Sequence, residues 1–128
     1  MEEAPILNSA ESIYQFMHTT IQDLDIEEGW VLMMKQNFRL IEAKRISVGG
    51  LTMAPVDLRL MMKEVLLKNT TVLAFCHNHP SGSTNPSRED DMLTSHIHKA
   101  CELLHIHFAD HVILTDGGYF SYREEGKL

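Results

Sequence analysis

The amino-acid sequence predicts an α/β fold, a mixed sheet flanked by helices on its faces. Three observations point there. Apolar periodicity alternates between helical and strand spacing in the order α-β-β-α-β-α-β-β. The segment TVLAFCHNH, 71–79, has a wholly apolar first half, as expected of a central strand buried on both faces. No internal repeat or linker breaks the order, so the 128 residues read as one domain, large enough for an ordinary core.

Residues 9–24 place Ile13, Phe16, Met17, Ile21 and Leu24 at three- and four-residue spacing, with Ser9 or Ser12 available as a cap, so a helix is expected. The short apolar run 29–35 suits a buried strand. Alternation over 38–48 suits a second strand, with a turn at Gln36-Asn37 joining the two and Gly49-Gly50 ending it. Pro55 opens a second expected helix, 55–69, whose apolar stripe is Leu58, Met61, Met62, Val65 and Leu66, and Asn69 stops it. After the central strand comes a loop rich in Pro, Gly, Ser and Asn, 80–86, then a third helix, 87–104. A strand over 106–115, the turn Asp116-Gly117-Gly118 and a strand over 119–123 close the chain as a hairpin.

Composition narrows the function classes. Hydrophobic content of 44% with 23% charged residues is ordinary for a globular domain. A net charge of −7 argues against direct nucleic-acid binding, which needs clustered cations. Lys35, Arg39, Lys44 and Arg45 form the densest basic group and read as a solvated strand edge. Two cysteines, Cys76 and Cys101, without a CxxC pair favour a reducing cytoplasm. The acidic start MEEAPILNSAES lacks signal-peptide character, and no run of 18 apolar residues could cross a membrane. The expectation is a cytoplasmic protein.

The chemistry lies in CHNHPSGSTNPSREDD, 76–91. Side chains two apart on a strand share a face, so His77 and His79 project together while Cys76 and Asn78 point the other way. The Pro-Ser-Gly turn exposes the pair at the carboxyl end of the strand, where open α/β sheets place ligands. An acid from the next helix would complete a set of two imidazoles and a carboxylate, which suits zinc (Zn2+) and leaves a coordination position open. Another borderline divalent ion would also fit such donors. Asp90 is the candidate third ligand, with Glu89 and Asp91 as rivals. A purely structural alternative exists, because Ser87-Arg88-Glu89-Asp90 resembles a capping box that would tie Asp90 to its own helix end.

His77-x-His79 followed by ten residues and Asp90 resembles the H-x-H-x(10)-D core of the JAMM/MPN metalloproteins, and HNHPSG with NPSRED resembles their RadC-like branch. ISVGG at 46–50, VDLRLMMKEVL at 56–66 and ADHVILTDGGYFSY at 109–122 extend the likeness over nearly the whole chain. The resemblance implies a cytidine-deaminase-like (JAB/MPN) fold and a zinc ion held by His77, His79 and Asp90. It also implies hydrolysis of a peptide or isopeptide bond in a protein or peptide substrate. A glutamate would serve as general base, and Ser87 would help hold the oxyanion. The base usually lies on the strand before the glycine turn. That position is Lys44 here, and Glu42, on the same strand face, is the candidate substitute. The branch commonly carries an N-terminal helix-hairpin-helix module that has no counterpart here, and its link to DNA repair is an inherited label.

Two other readings compete with a hydrolase: a metal-holding scaffold that works through protein contacts, and metal-dependent chemistry on DNA, which the charge does not favour. Contiguous His-Asn-His at 77–79 is unlike HNH nucleases, which scatter those residues. Of the other histidines, His18, His96, His98, His105 and His107 read as surface or core residues, although His105 and His107 repeat the i,i+2 spacing. Asp110-His111 matches a family pair and is expected to support a ligand. Cys76 reads as packing, and Asn78 and Ser81 as turn residues or lining of the site mouth. The final strand, 119–123, is an edge through which a homodimer could form.

Overall fold

The computed structural model describes residues 3–21, 24–49 and 56–128. Its elements run α1 (Ala10–Ile21), β1 (Glu28–Met34), β2 (Leu40–Val48), α2 (Leu58–Leu67), β3 (Val72–Asn78), α3 (Arg88–Leu103), β4 (His107–Thr115) and β5 (Gly118–Ser121). This is the order expected from periodicity. The strands form one mixed sheet, β2-β1-β3-β4-β5, in which only β3 and β4 run parallel.

The apolar first half of β3 makes it the middle strand, and all seven of its residues are buried. Period two divides its side chains between two cores. Ala74 and Cys76 join α1 (Ala10, Ile13, Met17, Ile21) on one face. Leu73 and Phe75 join α2 and α3 (Met61, Val65, Ile97, Cys101) on the other. His77 therefore continues the row of Leu73 and Phe75 and emerges beneath the start of α3.

Helix α1 begins where the serines direct it: Ser9 Oγ accepts from the Ser12 amide at 3.1 Å, and Ser12 Oγ accepts from the Ser9 amide at 3.0 Å. Helix α2 is shorter than expected. Its start at Pro55 lies outside the described residues, as does Gly50; Asp57 caps Leu58–Leu67 by accepting from the Arg59 amide at 2.9 Å. Leu66, expected on the apolar stripe, is 55% exposed, because Met61, Met62 and Val65 already cover the sheet side. Three of the four basic residues are paired with acids: Arg39 with Glu3, Lys44 with Glu64 and Arg45 with Glu28. Both cysteines are buried free thiols, and burial pushes Cys101 up to about 12. Among the described residues, no helix is long and apolar enough to cross a membrane.

One irregularity in the sheet sets which way the second half of β4 faces. In the β3–β4 ladder Leu73 pairs with Phe108 but Ala74 with Asp110, so Ala109 is an extra residue, a β-bulge. The bulge reverses the facing of every later residue on the strand. His111, paired with Phe75, thereby shares the face of His77, and Asp110 turns to the α1 side.

Candidate metal centre

Strand β3 delivers His77, fully buried, and the residue just past its end, His79, 14% exposed. The His79 amide donates to the Leu114 carbonyl at 2.9 Å, extending the parallel ladder, and the Gly82 amide closes the turn onto the His79 carbonyl at 3.0 Å. Gly82 has φ +85°, a backbone conformation that favours glycine. The chain then enters α3, and Asp90, 1% exposed, comes back over the histidines.

The three side chains meet. His77 Nε2 and His79 Nε2 lie 3.0 Å apart. Asp90 Oδ1 is 3.1 Å from the first and Oδ2 is 3.2 Å from the second. Ligand atoms around a tetrahedral ion, each ~2.0–2.1 Å from it, are separated by roughly 3.3 Å. The separation of the two imidazole nitrogens is of that order, and the carboxylate turns one oxygen to each ring at a similar distance. The protonation of His79 fits too. Its Nδ1 is 2.8 Å from the Ser83 carbonyl, which can only accept, so Nδ1 carries the proton and Nε2 presents a lone pair to the centre.

A fourth group completes the cluster, and it is not one the sequence singled out. Glu27 Oε1 lies 3.5 Å from His77 Nε2 and 3.9 Å from His79 Nε2. Glu27, His77, His79 and Asp90 each offer a ligand atom, all within 4.8 Å of one another, and could hold a metal ion. Glu27 precedes β1, whose Gly29 pairs with His77, so β1 brings the acid to the mouth of the site. Asn78 fixes it from the far face: its Oδ1 accepts from the Glu28 amide at 2.7 Å and its Nδ2 donates to the Ile26 carbonyl at 3.2 Å. Asn78 thus clamps the residues on both sides of Glu27, a larger task than the turn or lining role expected for it.

The structure does not bring Glu42, the base expected from the sequence, to this group. Glu42 pairs with Met33 and Met33 with Leu73, four residues before His77, so it lies two strands over and roughly 13 Å back along the sheet. Its carboxylate pairs instead with Lys68 at 3.2 Å. Lys44, at the position where the resemblance places the glutamate, pairs with Glu64 at 2.8 Å. The only signal for Glu27 was its place ahead of an apolar strand.

The two readings of Asp90 coexist. Asp90 Oδ2 accepts from the Ser87 amide at 2.8 Å and Ser87 Oγ accepts from the Asp90 amide at 3.0 Å, a complete capping box. Oδ1 stays turned to His77. Of the rival acids, Glu89 is exposed and Asp91 accepts from the Tyr122 hydroxyl at 2.7 Å, because successive helix positions point about 100° apart. Ser87, Ser81, Ser83 and Asn85 line, with Glu27, His79 and Glu89, a cavity of about 330 Å³ that opens over Asp90.

The titratable groups of the cluster perturb one another. Burial opposes ionisation of Asp90, but the adjoining His77 and His79 rings outweigh it and hold the carboxyl well below its usual range. Burial likewise opposes a charge on His79, yet Asp90 and the Ser83 carbonyl raise it above the ordinary value. Behind His77 stands His111, its Nε2 2.8 Å from His77 Nδ1. Burial, reinforced by the neighbouring His77, keeps His111 well below the usual value and so neutral. Asp110 accepts from the His111 and Arg123 amides and from Ser121, which ties the β4–β5 end of the sheet together. His18, His96, His98, His105 and His107 take no part in the cluster.

The comparisons agree with this architecture. The RadC-like JAB domain matches residues 7–127. A UPF0758 protein of Flavobacterium johnsoniae is 38% identical over 120 residues, covering 94% of this chain and 52% of that protein. A UPF0758 protein of Porphyromonas gingivalis is 35% identical over 123 residues, 95% of this chain and 54% of that one. A third, from Haemophilus influenzae, is 36% identical over 124 residues, 97% and 56%. The chain spans about half the length of these curated relatives. Its α/β sheet, its His-His-Asp-Glu cluster and a match running almost from end to end place it in one family: the chain belongs to the RadC-like JAB domain proteins.

Proposed function

We propose that the chain is a zinc-dependent hydrolase acting on an amide bond of a peptide or isopeptide substrate. One observation carries this: two imidazole nitrogens 3.0 Å apart and a buried carboxylate 3.1 and 3.2 Å from them converge, with a second, more accessible carboxylate, Glu27, beside them. His77, His79 and Asp90 would hold the ion, and this donor set suits zinc with a position left open. When bound, zinc supplies Lewis acidity that polarises a carbonyl and brings the pKa of water from 15.7 towards ~7.

The chain's own residues do the rest. Glu27, clamped through Asn78 and 24% exposed, is placed to take a proton from water at Oε1 and return it to the leaving amine. This is the role the sequence had assigned to Glu42. Ser87 accepts at Oγ from its helix and keeps its hydroxyl proton to donate to a developing oxyanion at the cavity wall. Ser81, Ser83 and Asn85 offer groups that can pair with a peptide backbone. Glu27 stands further from the imidazole nitrogens, at 3.5 and 3.9 Å, than Asp90 does at 3.1 and 3.2 Å, which favours a base beside the ion over a fourth ligand closing a scaffold site. The test is hydrolysis of a panel of peptide and isopeptide substrates by zinc-loaded protein. Activity should vanish with chelator and in His79→Ala; activity that survives both would refute the proposal.

A further inference from the structure

His111 and Thr94 lie behind the metal centre, and the proposed reaction uses neither. Both are buried, His111 completely and Thr94 to 4% exposure. The His111 ring is clamped, stacked on Tyr122 at 4.7 Å with 10° between planes and edge-on to Phe75 at 5.1 Å. Its two nitrogens touch one polar group each, Thr94 Oγ1 at Nδ1 and His77 Nδ1 at Nε2.

Hydrogen-bond accounting leaves one assignment. The Asp90 backbone carbonyl can only accept, and Thr94 Oγ1, 2.8 Å from it, spends its single proton there, an i to i−4 bond within α3. Thr94 Oγ1 can then only accept from His111, so His111 Nδ1 carries a proton. Fully buried, with Thr94 and His77 and no acid at its nitrogens, the ring is neutral; protonated at Nδ1 it has a bare Nε2, so the 2.8 Å contact to His77 requires a proton on His77 Nδ1. His77 Nε2 is then left with its lone pair, facing His79 Nε2 at 3.0 Å and Asp90 Oδ1 at 3.1 Å. The line closes on itself, because it starts at the carbonyl of Asp90 and ends at the ring which that residue's carboxylate faces.

We propose that Thr94 and His111 are positioning residues that hold His77 in its metal-binding protonation pattern through this directed line of hydrogen bonds. The proposal rests on the metal reading of the centre. Without the Thr94 lone pair, His111 is free to carry its proton on Nε2 and donate to His77 Nδ1. The His77 proton then moves to Nε2, pointing at Asp90 in place of a cation. Partners behind a ligating histidine commonly fix its orientation and protonation, and losing one costs about 10- to 100-fold in metal affinity.

The experiment uses the full chain, stripped with chelator and titrated with zinc against a chromophoric competitor. Thr94→Val, which keeps the shape and loses the lone pair, should bind zinc at least about tenfold more weakly. Thr94→Ser, which keeps the hydroxyl, should bind like wild type. Nitrogen-15 spectra of the imidazoles should show protons on Nδ1 of both His77 and His111 in zinc-loaded wild type. In metal-free Thr94→Val, the His111 proton should move to Nε2. Should Thr94→Val fail to fold, the wild-type spectra decide alone. Equal zinc affinity in Thr94→Val and wild type, or a proton on His111 Nε2 in wild type, overturns the relay while leaving the metal centre standing. No zinc uptake by wild type overturns both.

Discussion

Asp90→Asn separates the two duties that the structure gives one carboxylate. The amide oxygen can keep accepting from the Ser87 amide, now 2.8 Å from Oδ2, and the bond from the Asp90 backbone amide to Ser87 Oγ is untouched. The new NH2 falls where Oδ1 sits, 3.1 Å from His77 Nε2, and can donate to it. The metal-free variant should therefore keep its helix cap and fold, losing only what the carboxylate's charge contributes beside the two imidazoles. Zinc binding fares differently, because a charged ligand has gone. A loss beyond the ~100-fold upper range for partners behind a ligand is expected. At zinc equal to 100 times the wild-type Kd, linkage stabilises wild type by about 2.7 kcal/mol, and a variant binding 100-fold more weakly by only about 0.4 kcal/mol. Unfolding entropy near 2.1 cal/mol/K per residue over 128 residues converts these to shifts of about 10 °C and about 1.5 °C. Thermal unfolding with and without zinc, with metal content measured alongside, reads both numbers. If Asp90→Asn keeps the wild-type zinc shift, the carboxylate is a helix cap only and the metal reading fails.

Glu27→Gln should retain zinc and lose about 10²- to 10⁴-fold in hydrolysis, whereas Glu42→Gln should change neither, and equal losses from both would contradict the placement of the base. Zinc affinity should fall with pH, since binding needs neutral rings. His79 is raised above 6.5, so proton competition begins above that value and the affinity levels off only at higher pH, while Asp90, held low, adds no competition there. Affinity that stays flat through the neutral range would oppose the assignment of His79. Gly29→Ala should lower stability by about 1–3 kcal/mol in denaturant unfolding, because a Cβ there would sit 2.8 Å from Phe75 Cζ, a ring locked in the core; an unchanged midpoint would show that the strands can separate at this pair.

Much of the protein was legible in its sequence. Helical and strand periods are local properties, so the order of all eight elements, the central place of 71–79 and the shared face of His77 and His79 could be read from spacing. Asp90 could be named because it lies one loop away from the histidines. Glu27 could not, since what brings it to the site is the pairing of Gly29 with His77, a contact between strands far apart in the chain. The resemblance led instead to β2, one strand too far out. The bulge at Ala109 was equally hidden: by strict alternation His111 would have faced away from His77, and one extra residue in the ladder turns it back. Spacing along the chain sets which residues can share a face. Only register between strands, settled by packing both cores at once, decides which faces meet.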